Sequence, residues 1–280
     1  MTVSARSANE SPAAANPRLV DMRQGTSVRA GSFWYEGPDL ETGWHAHDLH
    51  QIEYALRGYA EVETSEHRFL LPPQQAIWIP AGVSHRTALR GVHSIAVFFR
   101  PELAPGAPER PRVLAAAPVL REMMVYARRW PIARADADPV SDAFFEALAL
   151  LSCEWARNEV PLCLPNSADP VIEAAMGATQ ADLRGAALED VCRAIGVSER
   201  TLRRRFRAAT GTSWRDYLRA SRLLRAAALL VDPRHSVLDA ADAVGFESPS
   251  AFARAFAERF GETPSAYRRR VGGGGEGDPE

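Results

Sequence analysis

One pattern is written twice between residues 188 and 270, and it restricts this chain more than any other feature. The first copy holds Leu188, Gly196, Ser198, Leu202, Phe206, Gly211 and Tyr217; the second holds Val237, Gly245, Ser248, Phe252, Phe256, Gly261 and Tyr267. Gly196 and Gly245 lie 49 residues apart, and after a one-residue insertion the five later pairs all lie 50 apart. Two copies are too few for a solenoid, which needs roughly three or more stacked units. The pattern reads as a duplicated module.

Each copy predicts a helix, a turn at glycine, a capped second helix and a glycine stop. Ser198 and Ser248 stand where a hydroxyl accepts from the orphan N–H groups of the following turn. Pro249 takes the first helical position, where its missing N–H costs nothing. Gly211 and Gly261 fall where a left-handed C-cap is needed. Two such helices describe a helix-turn-helix, whose second helix enters the DNA major groove.

A plain helical hairpin would give the same turn signals, and charge separates the two readings. Leu202, Phe206 and Ala209 recur at helical spacing as a buried stripe, which leaves Arg200, Arg203, Arg204 and Arg207 on the outward face. A charge run is usually only a solvated face. Here residues 193–225 hold ten Arg against Glu199 and Asp216, and no i,i+4 acid partner is expected for the four outward Arg. Uncompensated guanidinium on a reading helix suits phosphate and bidentate guanine contacts.

The stretch Val244-Gly-Phe-Glu-Ser-Pro-Ser-Ala-Phe-Ala-Arg-Ala-Phe-Ala-Glu-Arg-Phe-Gly-Glu-Thr-Pro-Ser-Ala-Tyr-Arg268 resembles the signature of AraC/XylS-type transcriptional regulators, and the first copy resembles that family's other helix-turn-helix. The resemblance implies that positions 200, 203 and 204, and 249, 250 and 254, face bases or nearby phosphates of double-stranded DNA. Pro249 has no side-chain donor, which leaves Ser250 and Arg254 as the polar readers of the second helix.

Charge is divided along the chain. All 33 basic residues are Arg; residues 1–165 carry 16 of them against 19 acids, while residues 166–272 carry 17 against 13. A basic C-terminal part beside an acidic N-terminal part fits DNA at one end only. Cys153, Cys163 and Cys192 are odd in number and unclustered, which fits reduced core thiols. With no 18-residue apolar run and no apolar core in residues 1–17, the expectation is a cytoplasmic protein without membrane contact.

The fold class expected is α+β: a cupin-like jelly-roll β-barrel, then helices, then an all-α domain with two helix-turn-helix motifs. Short β-rich segments at 60–64, 68–71, 76–79 and 92–99, punctuated by Gly and Pro, argue the barrel. His45-x-His47, Gln51 and Pro80-x-Gly82-x-x-His85 resemble the two cupin motifs, in which His and Glu side chains bind a divalent transition metal. His45 and His47, two apart on a strand, would share a face. Gln51 stands in the Glu position and Leu89 where Asn is usual, so one neutral carbonyl replaces a carboxylate and metal binding weakens. His50 either joins the cluster or lies outside it. Without metal the same pocket would take a small-molecule effector.

From Val113 the period turns helical. Val119, Leu120, Met123, Met124 and Ala127 form one stripe, and Phe144, Phe145, Leu148, Leu151 and Trp155 a second. Packing on the barrel would explain both. The preferred reading makes Phe144, Leu148, Leu151 and Trp155 a homodimer contact, which the resemblance also implies. The organisation expected is a disordered 1–17, a sensor domain at 18–110, a helical dimer element at 111–160, an extended linker at 161–170, the DNA-binding domain at 171–271 and a flexible tail at 272–280. A metal-dependent cupin enzyme, a dioxygenase or isomerase with a helical tail, is the alternative; Gln51 and the doubled basic module weigh against it.

Overall fold

The computed structural model describes residues 28–73, 75–114, 118–136, 138–157 and 162–272, so the readings at 1–17 and 273–280 lie outside the described residues. The order is β1 (Ala30–Glu36), β2 (Leu40–Glu41), β3 (His50–Thr64), β4 (His67–Leu71), β5 (Ala76–Ile79), β6 (His85–Phe99), β7 (Arg112–Leu114), α1 (Pro118–Ala127), α2 (Pro139–Trp155) and β8 (Cys163–Pro165). Then come α3 (Pro170–Ala181), α4 (Leu188–Ile195), α5 (Glu199–Thr210), α6 (Trp214–Leu229), α7 (Val237–Ala243), α8 (Pro249–Phe260) and α9 (Pro264–Gly272). The architecture is mixed α+β, with the strands before the helical half.

Two long antiparallel strands, β3 and β6, are the spine of the sheet, and their register shifts between Ala55, Arg57 and Tyr59. Bulges bend such a pair, and each half takes its own outer partners. The first half of β3 carries β5 and then β7, and the last half of β6 carries β1. The second half of β3 carries β4 and then β8, while β2 sits on the first half of β6. The halves face each other across one core, where Ala55, Ile77 and Ile79 meet Val62, Phe69, Leu71 and Leu89. The strand segments expected at 60–64, 68–71, 76–79 and 92–99 all lie within β3 to β6.

Helices α1 and α2 cover the outer face of the first half. There Ile52, Tyr54, Trp78, Val97 and Phe99 pack against Leu120, Met124, Phe145 and Leu148. Because β5 is buried on both faces, it reads as an unbroken Ala-Ile-Trp-Ile run and does not alternate. Three expectations change here. Val113 belongs to a strand, paired with Ile77. Val119 is 49% exposed, off the buried side of α1. Leu148 is fully buried in this core, so it packs on the barrel and is not available as a dimer contact; Phe144, Leu151 and Trp155 keep partial exposure.

The segment read as a linker is extended, but it is not free. Cys163–Pro165 pair with Phe69, Arg68 and His67 as an edge strand. Asp169 then N-caps α3, its side chain accepting from Val171 N–H. In the helical half, Phe206 and Tyr217 pack edge-on at 5.3 Å, and Phe256 and Tyr267 repeat the contact at 5.3 Å. The repeat seen in sequence is therefore a repeat of packing. Ala209 departs from expectation and is exposed; the flank of α5 runs through half-buried Thr210, whose hydroxyl donates to the Phe206 carbonyl.

Candidate functional site

Both reading helices are built as their sequences require. Ser198 accepts from Thr201 N–H at the start of α5, and Ser248 from Ala251 N–H at the start of α8. Each helix ends at a left-handed glycine, Gly211 at φ 72° and Gly261 at φ 75°. Gly245, at φ 82°, turns the chain between α7 and α8, and a Cβ there would lie 2.6 Å from the Arg184 carbonyl oxygen. Only glycine lets the two modules approach so closely at that turn.

Arg200, Arg203, Arg204 and Arg207 are exposed and line one shallow depression with Ala208 on the outer side of α5. Their charge is less bare than the sequence reading has it. Arg203 donates to Glu199 at 2.6 Å, an i,i+4 pair. Acids from outside residues 193–225 take others of the ten: Glu189 and Asp190 hold Arg193, Asp169 holds Arg205, and Glu258 holds Arg219. Arg222 is structural, donating to the carbonyls of Leu183, Arg184 and Gly245 and so tying the two modules together. Among the described residues, Arg200, Arg204, Arg207, Arg215 and Arg225 have no carboxylate partner within 4.0 Å, and three of these are on α5. In the second module Ser250 and Arg254 are exposed on α8, while Arg259 turns inward and donates to the Cys163 carbonyl at 3.0 Å.

The histidine cluster forms without the expected strand. His45 and His47 lie on the irregular segment before β3, and His45 is held by mutual backbone hydrogen bonds with His85. Ring centroids are 4.4 Å apart for His45 and His85, 5.3 Å for His47 and His85 and 6.0 Å for His45 and His47. Each Nδ1 faces a carbonyl two residues away: Gly43 at 2.8 Å, Leu49 at 2.8 Å and Val83 at 2.9 Å. With Nδ1–H donated there, His45 and His85 carry their lone pairs on Nε2, whereas both ring nitrogens of His47 face oxygen acceptors, the Leu49 carbonyl and Gln51 Oε1. Burial lowers the pKa of His47, and it pushes His85 down to about 4.

Gln51 belongs to the cluster, its Oε1 lying 3.0 Å from His47 Nε2 while its Nε2 donates to Glu53 Oε2 at 3.1 Å. Burial pushes Glu53 up to about 7. His50 lies outside. Its Nδ1 accepts from Ala81 N–H, and its ring packs at 4.9 Å on Trp78.

Comparison with known proteins matches both halves separately. Residues 35–162 match the AraC-like ligand binding domain, and residues 191–270 match a helix-turn-helix domain. The chain is a transcriptional regulator of the AraC type. It is 27% identical to the HTH-type transcriptional regulator NimR of Escherichia coli over 83% of this chain and 84% of NimR. It is 33% identical to the HTH-type transcriptional activator RhaR of Pectobacterium atrosepticum over 47% of this chain and 46% of RhaR. The chain thus spans about half the length of that second relative. Among solved structures, ToxT from Vibrio cholerae O395 is 12% identical over 88% of this chain and 99% of its own, with a TM-score of 0.39.

The donor set of this AraC-type regulator fits a divalent cation. One ligand atom each from His45, His47 and His85 lies within 4.8 Å of the other two, and buried His85 Nε2 has no hydrogen-bond partner. These three residues would hold the ion, which would supply a fixed positive charge and Lewis acidity. Sequence reasoning missed Arg205, whose side chain grips Asp169, and Glu53, the buried acid behind Gln51. The signal for Glu53 was a lone acid inside the otherwise apolar stretch 52–56. For Arg205 there was none, because its partner lies 36 residues earlier. No helix among the described residues is long and apolar enough to cross a membrane.

Proposed function

We propose that this regulator reads double-stranded operator DNA mainly through α5, with Arg200, Arg204 and Arg207 on phosphates and base edges. Arg203, shared with Glu199, and Ser250 and Arg254 of α8 make the weaker contacts. The observation that carries this reading is the outward Arg cluster on a capped second helix whose inward Arg205 is already engaged. The cupin-like domain senses a small molecule or a divalent metal at His45, His47, Gln51 and His85, and its occupancy changes the population of DNA-competent arrangements; only differential affinity for the two states does that. The protein works in the cytoplasm as a homodimer and has no catalytic role of its own.

The three clustered imidazoles also suit a metal-dependent cupin enzyme. The neutral Gln51 speaks against it, because a redox iron site wants a stable anionic ligand set. Footprinting upstream of the protein's own and neighbouring genes, at several salt concentrations and with metal analysis of the same preparation, tests the proposal. Sequence-selective protection that weakens steeply with salt supports it. Substrate turnover without DNA retention overturns it.

A further inference from the structure

A second concave site lies away from the histidine cluster, where the barrel meets α6 and the turn that follows it. The cleft has a volume of about 920 Å³, within the range of small-molecule sites of roughly 300–1,000 Å³. Six guanidinium groups line it, those of Arg57, Arg90, Arg121, Arg128, Arg225 and Arg234, against only two carboxylates, Glu122 and Asp232. Those carboxylates pair with Arg121 and Arg234, and Arg90 pairs with Asp39 and Glu41.

Three cations remain. Among the described residues, Arg57, Arg128 and Arg225 have no carboxylate within 4.0 Å, and they come from β3, the turn that follows α1, and α6. Two are held by neutral partners. Arg128 lies 3.8 Å over the Trp34 ring, and Arg225 donates to the Tyr59 hydroxyl at 3.3 Å. Each retains further N–H donors in a fixed fork. Arg57 sits in the bulge of β3, beside Gly58 at φ 68°, where a Cβ would lie 2.3 Å from the Arg90 carbonyl oxygen. The bulge thus brings the β3 and β6 backbones together at the cleft wall and sets Arg57 in its lining. A merely solvated surface would place acids among such like charges. Here three unneutralised forks from three separate segments of the chain share one concavity with apolar Leu56, Val125 and Leu229.

We propose that this cleft binds a small polyanion, a metabolite carrying two or more carboxylate or phosphate groups, across the boundary between the barrel and the DNA-reading half. Arg57 and Arg128 grip it from the barrel side and Arg225 from α6, the helix that joins the two reading modules. Its consequence for transcription rests on the regulator reading above, because only then does fixing α6 against the barrel alter operator binding.

Calorimetric titration of the full-length protein in metal-free buffer at matched ionic strength tests the site, with citrate and inorganic pyrophosphate as probes. One probe or both should bind at a single site, the better one telling carboxylate from phosphate. Arg57→Gln and Arg225→Gln should each weaken binding by roughly tenfold or more, the usual size of a lost charge-assisted hydrogen bond. Arg29→Gln, an exposed barrel change outside the cleft, should leave it intact. Failure of both probes to bind, or an equal loss from Arg29→Gln, overturns the site. Operator retention by the same preparations separates the two readings. A protein that retains DNA but ignores both anions loses only the cleft site, and one that binds them without retaining DNA loses only the proposed function.

Discussion

Arg205 grips Asp169 with its Nη2 at 2.7 Å from both carboxylate oxygens. The two residues join the reading helix α5 to the N-cap of α3, four residues after the edge strand β8 ends. Asp169 therefore has two tasks, capping one helix and orienting another. These fork-shaped bonds hold its carboxyl below the usual carboxylate range.

Arg205→Ala should lower the thermal midpoint by a few degrees and weaken operator binding less than a change at Arg204. Asp169→Asn keeps an N-cap acceptor and removes only the charge. Because the folded pKa is depressed, the stabilisation is complete above the ordinary carboxylate range and fades as pH falls through the lowered value. The gap in midpoint between wild type and Asp169→Asn should therefore close on acidification. A gap that widens at low pH would contradict the pairing.

The two reading modules should be unequal. Arg204→Ala is expected to cost roughly 1–3 kcal/mol of operator binding if it contacts guanine in bidentate fashion, relaxing specificity in one half-site. Arg203→Ala should cost less, because Arg203 leaves its bond to Glu199 when it engages DNA. Arg254→Ala should also cost less and act on the other half-site, since α8 offers no other outward cation (Arg259 is turned inward). Equal losses from Arg204→Ala and Arg254→Ala, measured at one salt concentration, would show that the charge argument is wrong.

The histidine cluster makes a metal prediction. Cobalt(II) titration followed by its visible absorption should give one site per chain, and His85→Ala should abolish it. Gln51→Glu should tighten binding, since a carboxylate replaces a neutral carbonyl. Absence of any stoichiometric site in the wild type would remove the metal and leave the small-molecule version of the pocket.

On α2, core and surface roles should separate. Leu148→Ala is predicted to destabilise the fold by roughly 2–5 kcal/mol, as for other large-to-small changes in a packed core. Leu151→Glu should affect stability little and weaken self-association in analytical ultracentrifugation. If Leu151→Glu leaves the sedimentation unchanged, the dimer contact lies elsewhere.

Local features were legible in the chain because local physics sets them. The capping serines 198 and 248, the stops at Gly211 and Gly261, and the doubled Phe–Tyr spacing depend on neighbours within a turn or two, and all form as their residues require. The matched cupin-like and helix-turn-helix halves were likewise readable from motif spacing.

Tertiary structure alone decided which charges are bare and which apolar residues are free. Arg205, Arg219, Arg222 and Arg259 look alike in sequence to Arg204, yet each is engaged by a partner at least 23 residues away. Leu148 and Leu151 share one periodic stripe, but the bent sheet covers only the first completely. His45 and His47 converge with His85 through a backbone bridge and not through strand parity. The reason is common to all three cases. Periodicity fixes the direction a side chain takes from its own element, whereas what waits in that direction is set by contacts between residues distant in the chain.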